Sequence, residues 1–316
     1  MSSLLYRIKS VLSRVVDGVP LGTNLGLFHL LWMLLSGRLL QSRGAVIPGL
    51  ADLGLAADAV RRCWAALAYG KWQAQQLLRA WEQLIREEAS FQAHQYGHYH
   101  PVACDLVGFF RPRLQDCPTK HYSSTAGKAL PAITVGIAAR VGTVGTQRLA
   151  VPCLLVRSET TDTREADLQT RLLQNVHEQL AEDEALVCDR GFPLRQLQAI
   201  GIQRYVARGP VNFTARRAAL APYQGKGRRP TRGALVRPLP RTYKNRIIAA
   251  TPPDRQEIWQ LPALPAPVQL TAQFWDGLVL AEAPPGAPPF STVRIHAPRF
   301  DEPWLLNTAL PLTGAQ

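Results

Sequence analysis

The residues that decide the fold are Ala185-Leu186-Val187-Cys188-Asp189-Arg190-Gly191-Phe192. They form a short apolar run that ends in a carboxylate followed by glycine, a pattern that predicts a buried β-strand with Asp189 at its end. Burying an ionised carboxylate is unfavourable unless another group binds it. A second aspartate has the same setting upstream, in Val102-Ala103-Cys104-Asp105-Leu106-Val107. Two such carboxylates in one domain predict a hard divalent cation between Asp105 and Asp189.

The segments around these two runs predict a mixed sheet with helices packed against it. The expected elements, in chain order, are strands at 102–110, 132–141 and 148–156, a helix at 163–181, the strand ending at Asp189, a helix at 193–200 and a strand at 204–208. The order βββαβαβ belongs to the α/β class. Hydrophobic residues make up 47% of the 316-residue chain, which supports a large core and excludes wholesale disorder.

The flanking segments predict two further regions. Residues 1–95 are expected to be helical, because apolar residues recur at helical spacing in 56–69 and 71–88. This N-terminal domain could bind DNA through a helix-turn-helix arrangement or serve only for packing, and both interpretations stay open. After a core at 96–208, residues 209–300 predict a basic insertion of hairpins and loops outside the core sheet. One more apolar strand is expected within 301–316, at 304–310.

Positive charge is concentrated in one segment. The chain carries a formal charge of +13, and residues 204–253 contain twelve basic residues and no Asp or Glu. A polyanion is the expected partner, with a solvated basic loop as the alternative. The five cysteines form no C-x-x-C pair, which favours a reducing compartment over a disulfide scaffold. The apolar stretch 25–35 is too short to span a bilayer, so no membrane association is expected.

Four pieces of the chain resemble bacterial insertion-sequence transposases of the DDE type. The pieces are CDLVGFFRP at 104–112, AGKALPAITVGIAARVG at 126–142, ALVCDRGFPLRQLQAIGIQRYVAR at 185–208 and YQGKGRRPTRGALVRPLPRTYKNRIIAATPPD at 223–254. The resemblance implies a ribonuclease-H-like mixed sheet with flanking helices, an inserted β-rich basic subdomain and a helical N-terminal domain. It also implies a prokaryotic protein that is cytoplasmic and associated with the nucleoid. Its expected partners are transposon ends and target DNA, on which a homodimer could assemble.

In such transposases two Mg²⁺ ions activate the attacking and leaving oxygens of DNA strand cleavage and joining. The resemblance implies that Asp105 bridges both metals and that Asp189 binds one, with Mn²⁺ able to substitute. The alternative for each aspartate is a strand-end cap or a salt-bridge partner. Arg190 could touch the scissile phosphate or cap a carboxylate.

The family's third acid, a glutamate on a helix after the last core strand, has no match here. The late acids are Glu257, Asp276, Glu282, Asp301 and Glu302, and none has the family's position. The expectation is therefore a C-terminally truncated transposase that is weakly active or inactive alone. A non-catalytic DNA-binding fragment is the alternative, and an unrelated basic protein such as an RNA-binding module ranks last.

The insertion is expected to contact DNA whether or not the chain is catalytic. The phosphate contacts that the resemblance implies are Arg228, Arg229, Arg232, Arg237, Arg241, Lys244 and Arg246. Tyr223 and Tyr243 could stack on a displaced base or simply pack within a hairpin.

Overall fold

A computed structural model describes residues 2–111, 113, 117, 119–159, 164–220, 222–223, 225, 230–261, 268–284, 286–296 and 302–311. The chain is a mixed α/β protein with a large mixed sheet and, in these ranges, eight helices. It divides into two compact units. The first contains Met1–Ala93 with Gly142–Leu155, and the second contains His94–Val141 with Val156–Gln316.

The first unit is mainly helical. Its helices are α1 (Ser2–Val16), α2 (Thr23–Leu35), α3 (Arg38–Gln41), α4 (Val46–Ala51), α5 (Ala57–Tyr69) and α6 (Ala74–Glu87). The helices expected at 56–69 and 71–88 are confirmed as α5 and α6. Gly26 of α2 lets α5 approach closely, because an added Cβ would lie 2.5 Å from the Ala66 Cβ. No helix in the described ranges is long and apolar enough to cross a membrane.

Short and long strands alternate with two further helices in the remainder of the chain. In order they are β1 (Phe91–Ala93), β2 (His100–Phe110), β3 (Thr119–Ser123), β4 (Lys128–Val144), β5 (Gln147–Arg157), α7 (Glu165–Gln179), β6 (Glu184–Cys188), α8 (Leu194–Ile200), β7 (Tyr205–Arg208), β8 (Ala215–Arg217), β9 (Leu235–Val236), β10 (Arg241–Tyr243), β11 (Arg246–Ile248), β12 (Arg255–Leu261), β13 (Val268–Leu280), β14 (Phe290–His296) and β15 (Trp304–Thr308). Each element expected between 102 and 208 is present. The short strand β3 was not predicted.

The second unit is organised by the sheet order β4-β2-β6-β7-β15-β14-β13-β8-β9, with β3 pairing with β4 and β12 pairing with β13. Strand β2 is antiparallel to β4 and parallel to β6, and β6 is parallel to β7. Strand β15 closes this group by pairing antiparallel with β7. Helix α7 connects β5 to β6, and α8 connects β6 to β7.

The two faces of this sheet differ. On one face lie Cys104 and Leu106 of β2, which are buried, and α7 packs there. Gly136 of β4 permits this packing, because an added Cβ would lie 2.9 Å from Leu172 of α7. Side chains alternate along a strand, so Asp105 and Val107 point to the opposite face, where both are exposed. The sheet therefore has a helix-covered face and an open face.

The insertion was wrongly predicted to lie outside the core sheet. Strands β8, β9, β12, β13 and β14 continue the same sheet beyond β15. The sequence of β13 is typical of a strand with one buried face, because Leu270, Ala272 and Phe274 are buried and alternate with partly exposed polar residues. The bulge between Trp275 and Leu278 and the proline-rich flanks obscured that alternation. Strands β10 and β11 form a separate two-stranded sheet.

Candidate active site and nucleic-acid interface

The pairing of β2 with β6 brings the two predicted aspartates side by side. Cys104 is in register with Cys188 in this parallel pair, so Asp105 and Asp189 are the next residues on neighbouring strands. Both belong to the alternating set of residues that points to the open face, and both are exposed. Neighbouring strands lie about 4.8 Å apart, which sets the spacing of the two backbones. Two residues distant in sequence thus present carboxylates from one patch of the sheet.

Each aspartate makes only a local hydrogen bond. The Leu106 N–H donates to Oδ1 of Asp105 over 2.7 Å, and the Gly191 N–H donates to Oδ1 of Asp189 over 2.8 Å. Asp189 thus caps its own turn, as one of the alternatives anticipated. Within the described ranges neither Oδ2 atom accepts a hydrogen bond and neither carboxylate joins an ion pair. Each aspartate therefore keeps an oxygen available for a ligand.

This arrangement fits a hard divalent cation. Mg²⁺ is bound through one or two carboxylates and completes its shell with water and substrate phosphate oxygens. Across the described residues no cluster of three or more His, Cys, Asp and Glu side chains is positioned to hold a metal. The pair would accordingly supply two carboxylate ligands, with the remaining positions left to water and phosphate.

The neighbouring thiol is chemically inert. Burial, and secondarily the negative charge of Asp189, raises the pKa of Cys188 to about 12. The thiol is protonated at neutral pH and points to the helix-covered face, so it is neither a nucleophile nor a soft metal ligand. Asp105 and Asp189 therefore offer oxygen donors, the ligand type that Mg²⁺ prefers.

Arg208 and Trp304 extend the row of aspartates, and the sequence analysis assigned neither of them to the site. Cys188 is in register with Ala207, so Arg208 and Asp189 are the next residues along the two neighbouring chain segments. Both side chains belong to the alternating set that points to the open face. Its guanidinium lies 5.6 Å from the centroid of the half-exposed Trp304 ring. It makes no hydrogen bond or ion pair with any residue that the structure describes. Arg208 is the last residue of β7, and only the register of β6 with β7 places it beside Asp189, so no local pattern in the sequence indicated it.

Arg190 lies near the carboxylate of Glu302. Its Nη2 atom lies 3.9 Å from Oε2 of Glu302, and both side chains are substantially exposed. An ion pair of this length and exposure contributes little to stability. Arg190 also borders a cavity of about 390 Å³ at the carboxyl ends of β6 and β7, together with Arg195 and Arg208. Glu282 lines the same cavity, so three arginines and one glutamate border it.

Part of the basic segment stabilises the fold. Arg204 donates to the backbone carbonyl groups of Ala181 and Glu184 over 2.9 and 3.0 Å. Arg217 makes a bidentate pair with Asp254, with both distances 2.6 Å. The hydrogen bonds from Arg217 hold the pKa of the Asp254 carboxyl below its usual range. These two arginines belong to the sheet, not to a nucleic-acid surface.

Other basic residues of the segment remain at the surface. Arg232 is exposed, and Arg237 is partly buried with an Nε atom that has no partner among the described residues. Arg241, Lys244 and Arg246 are exposed on the β10–β11 hairpin. The predicted contacts Arg228 and Arg229 lie outside the described residues. Tyr223 and Tyr243 are exposed by 44% and 58%.

No protein-family model matches the chain, and no curated protein is significantly similar to it.

Proposed function

We propose that this chain is a DNA strand-cleaving and strand-joining protein of the DDE transposase type, with a ribonuclease-H-like core. The observation that carries the proposal is the pairing of Asp105 and Asp189 on the open face of β2 and β6. The strand order β4-β2-β6-β7, with β2 antiparallel to β4 and with β2, β6 and β7 parallel, supports the ribonuclease-H-like assignment.

The residues would divide the work between metal binding and substrate positioning. Asp105 and Asp189 would hold Mg²⁺ or Mn²⁺, which when bound polarises the phosphoryl group and lowers the pKa of a water molecule or 3′-hydroxyl. Arg208 lies beside Asp189 and would orient the adjacent phosphate. Trp304 lies within cation–π distance of this guanidinium and would offer an aromatic surface to a base. Arg241, Lys244 and Arg246 of the β10–β11 hairpin would bind phosphates of the DNA backbone outside the cleavage site.

A non-catalytic DNA-binding role is the second candidate. It is favoured by a specific observation: the described residues contain no third carboxylate grouped with Asp105 and Asp189. The exposed basic residues Arg232, Arg241, Lys244 and Arg246 do not depend on that pair. Tight, salt-sensitive DNA binding without cleavage would support this candidate.

Metal binding and strand cleavage separate the two candidates. We expect Mn²⁺ binding, followed by electron paramagnetic resonance, to weaken at least about tenfold in Asp105→Asn and Asp189→Asn, because each removes one of two carboxylate ligands. Asp183→Asn is the matched control, since Asp183 is exposed at the other end of β6. Nicking of a labelled duplex should require Mg²⁺ or Mn²⁺ and disappear in both site variants. Equal Mn²⁺ affinity in all four proteins would contradict the proposed metal site.

Trp304→Leu tests the positioning role separately. This change removes the ring beneath Arg208 and leaves both aspartates in place. We expect Mn²⁺ affinity to be unchanged and the Michaelis constant for DNA, or its dissociation constant if cleavage is absent, to rise. A loss of Mn²⁺ binding in Trp304→Leu would show that the ring supports the fold of the site instead.

A further inference from the structure

The β10–β11 hairpin is an isolated two-stranded ribbon. Among the residues that the structure describes, its strands pair only with each other, with Arg241 opposite Ile248, Thr242 opposite Ile247 and Tyr243 opposite Arg246. Its turn residues Lys244 and Asn245 have φ angles of 47° and 60°. Two consecutive residues with positive φ form the tight turn whose twist suits a β-hairpin. The sequence therefore specifies this ribbon locally, without support from the main sheet.

The ribbon displays an apolar residue that the described protein does not cover. Ile247 is 82% exposed, although isoleucine is among the residues most often buried. A two-stranded hairpin is marginally stable alone in water, so packing of its own side chains does not account for an isoleucine here. Ile247 and its cross-strand neighbour Thr242 are the two strand residues that point to one face of the ribbon. Ile247 is available to a partner.

The charges around Ile247 identify the partner as a polyanion. Arg241, Lys244 and Arg246 form no ion pair with any residue in the described ranges. The Lys244 ammonium lies 5.5 Å from the Tyr243 ring, which holds it near the turn. No acidic residue occurs between 204 and 253. A duplex offers phosphates to the cations and, between its base pairs, an apolar slot to the isoleucine.

We propose that the β10–β11 hairpin is a DNA-bending arm whose Ile247 side chain inserts as a wedge between two base pairs. The proposal rests on the DNA-binding function proposed above and adds the mode of engagement. Wedges of this kind partly unstack a base step and kink the duplex, while arginine and lysine side chains hold the flanking backbone. The arm would act by deforming DNA, with sequence preference arising from steps that unstack easily.

The experiment compares binding with unstacking on one probe. The probe is a duplex of about 30 base pairs with a central TA step, chosen because pyrimidine–purine steps are the most easily kinked. It carries 2-aminopurine beside that step and a donor–acceptor dye pair at its ends. Bound wild-type protein should raise the 2-aminopurine fluorescence several-fold and shorten the end-to-end distance. Ile247→Thr should lose both signals, while its affinity falls by less than about tenfold because the phosphate contacts remain.

The variants keep the hairpin intact. Threonine retains β-branching, and a Thr–Thr pair across the strands with Thr242 is favourable. Ile258→Thr is the matched control, since Ile258 is a 62% exposed isoleucine on β12. It should bend the probe as wild type does. Arg241→Gln combined with Arg246→Gln should weaken binding and reduce its salt dependence.

Two outcomes overturn the proposal and differ in what they imply. Wild-type protein that binds the probe without unstacking or bending it, or an Ile247→Thr variant that bends it equally, refutes the wedge and leaves DNA binding standing. Absence of binding to the probe at low salt, with binding to anionic lipid vesicles instead, refutes both the wedge and the DNA-binding function.

Discussion

Replacing either aspartate of the open face by asparagine is expected to stabilise the metal-free fold. Asp105 and Asp189 lie on adjacent strands with no described counter-ion within ion-pair distance, so their negative charges repel each other. Two unit charges about 4.8 Å apart interact by about 0.9 kcal/mol in bulk water and about 3.5 kcal/mol at an effective dielectric constant of 20. Because both side chains are exposed, we expect a coupling near the lower value, about 1 kcal/mol.

A double-mutant cycle measures this coupling directly. Urea unfolding in EDTA would give the free energy of unfolding for wild type, Asp105→Asn, Asp189→Asn and the double variant. Each single change should raise it, and the double variant should gain less than the sum of the singles by about 1 kcal/mol. Asp105→Asn should gain more than Asp189→Asn, because Arg208 lies next to Asp189 and offsets part of its repulsion.

Adding Mn²⁺ should reverse the order of stability. A cation at a hundred times its dissociation constant stabilises the protein that binds it by about 2.7 kcal/mol. Wild type should therefore become the most stable of the four proteins, and the double variant should not respond. Additive stabilities in EDTA, or an equal response to Mn²⁺ in the double variant, would show that the two carboxylates do not share a site.

Three further changes test the surroundings of the site and the basic surface. Gly191→Ala should lower Mn²⁺ affinity severalfold, since an added Cβ would lie 2.9 Å from the carboxylate oxygen of the preceding aspartate and displace it; an unchanged titration would argue against this contact. Arg217 holds the pKa of Asp254 below its usual range, so the pair stabilises the fold fully above pH ~4 and progressively less as pH falls through the lowered pKa. In Asp254→Asn the free energy of unfolding should no longer fall at low pH through protonation of this carboxylate. An unchanged pH dependence of the unfolding free energy would contradict a stabilising Arg217–Asp254 pair. Arg241→Gln combined with Arg246→Gln should reduce the slope of log binding constant against log salt by about 1.8, as two phosphate contacts are lost; an equal slope would place these arginines away from DNA.

The elements that carry the aspartates were predictable because their signals are local. The apolar runs around Asp105 and Asp189 end at turn residues, and α7 has a continuous leucine stripe, so each element could be recognised without its neighbours. Strand register was not predictable in the same way, because it depends on partners far apart in sequence. The proximity of Asp105 to Asp189 was therefore inferred from a resemblance, and Arg208 was missed because only the register of β6 with β7 places it beside Asp189.

The basic segment illustrates the same distinction between composition and contact. The absence of Asp and Glu from 204–253 suggested that every cation there was available to a polyanion. Arg217 instead pairs with Asp254, the first acid after the segment, because strand β8 returns alongside β13 and brings the two together. Arg204 is used by backbone carbonyl groups. Net charge marked the segment as basic, and hydrogen bonding within the sheet decided which of its side chains remain exposed.

The alternation of side chains along β2 and β6 explains how one sheet supports both the hydrophobic core and the proposed metal site. Even-numbered residues such as Cys104 and Leu106 pack under α7, while odd-numbered Asp105 and Asp189 face solvent on neighbouring strands. A one-residue slip between β2 and β6 would place a carboxylate under α7, where burial without a partner is strongly unfavourable. The hydrophobic contacts of the covered face thus fix the register, and the register alone fixes the spacing of the two acids. Core substitutions that loosen β2 against β6 should consequently weaken metal binding even where they leave both aspartates in place.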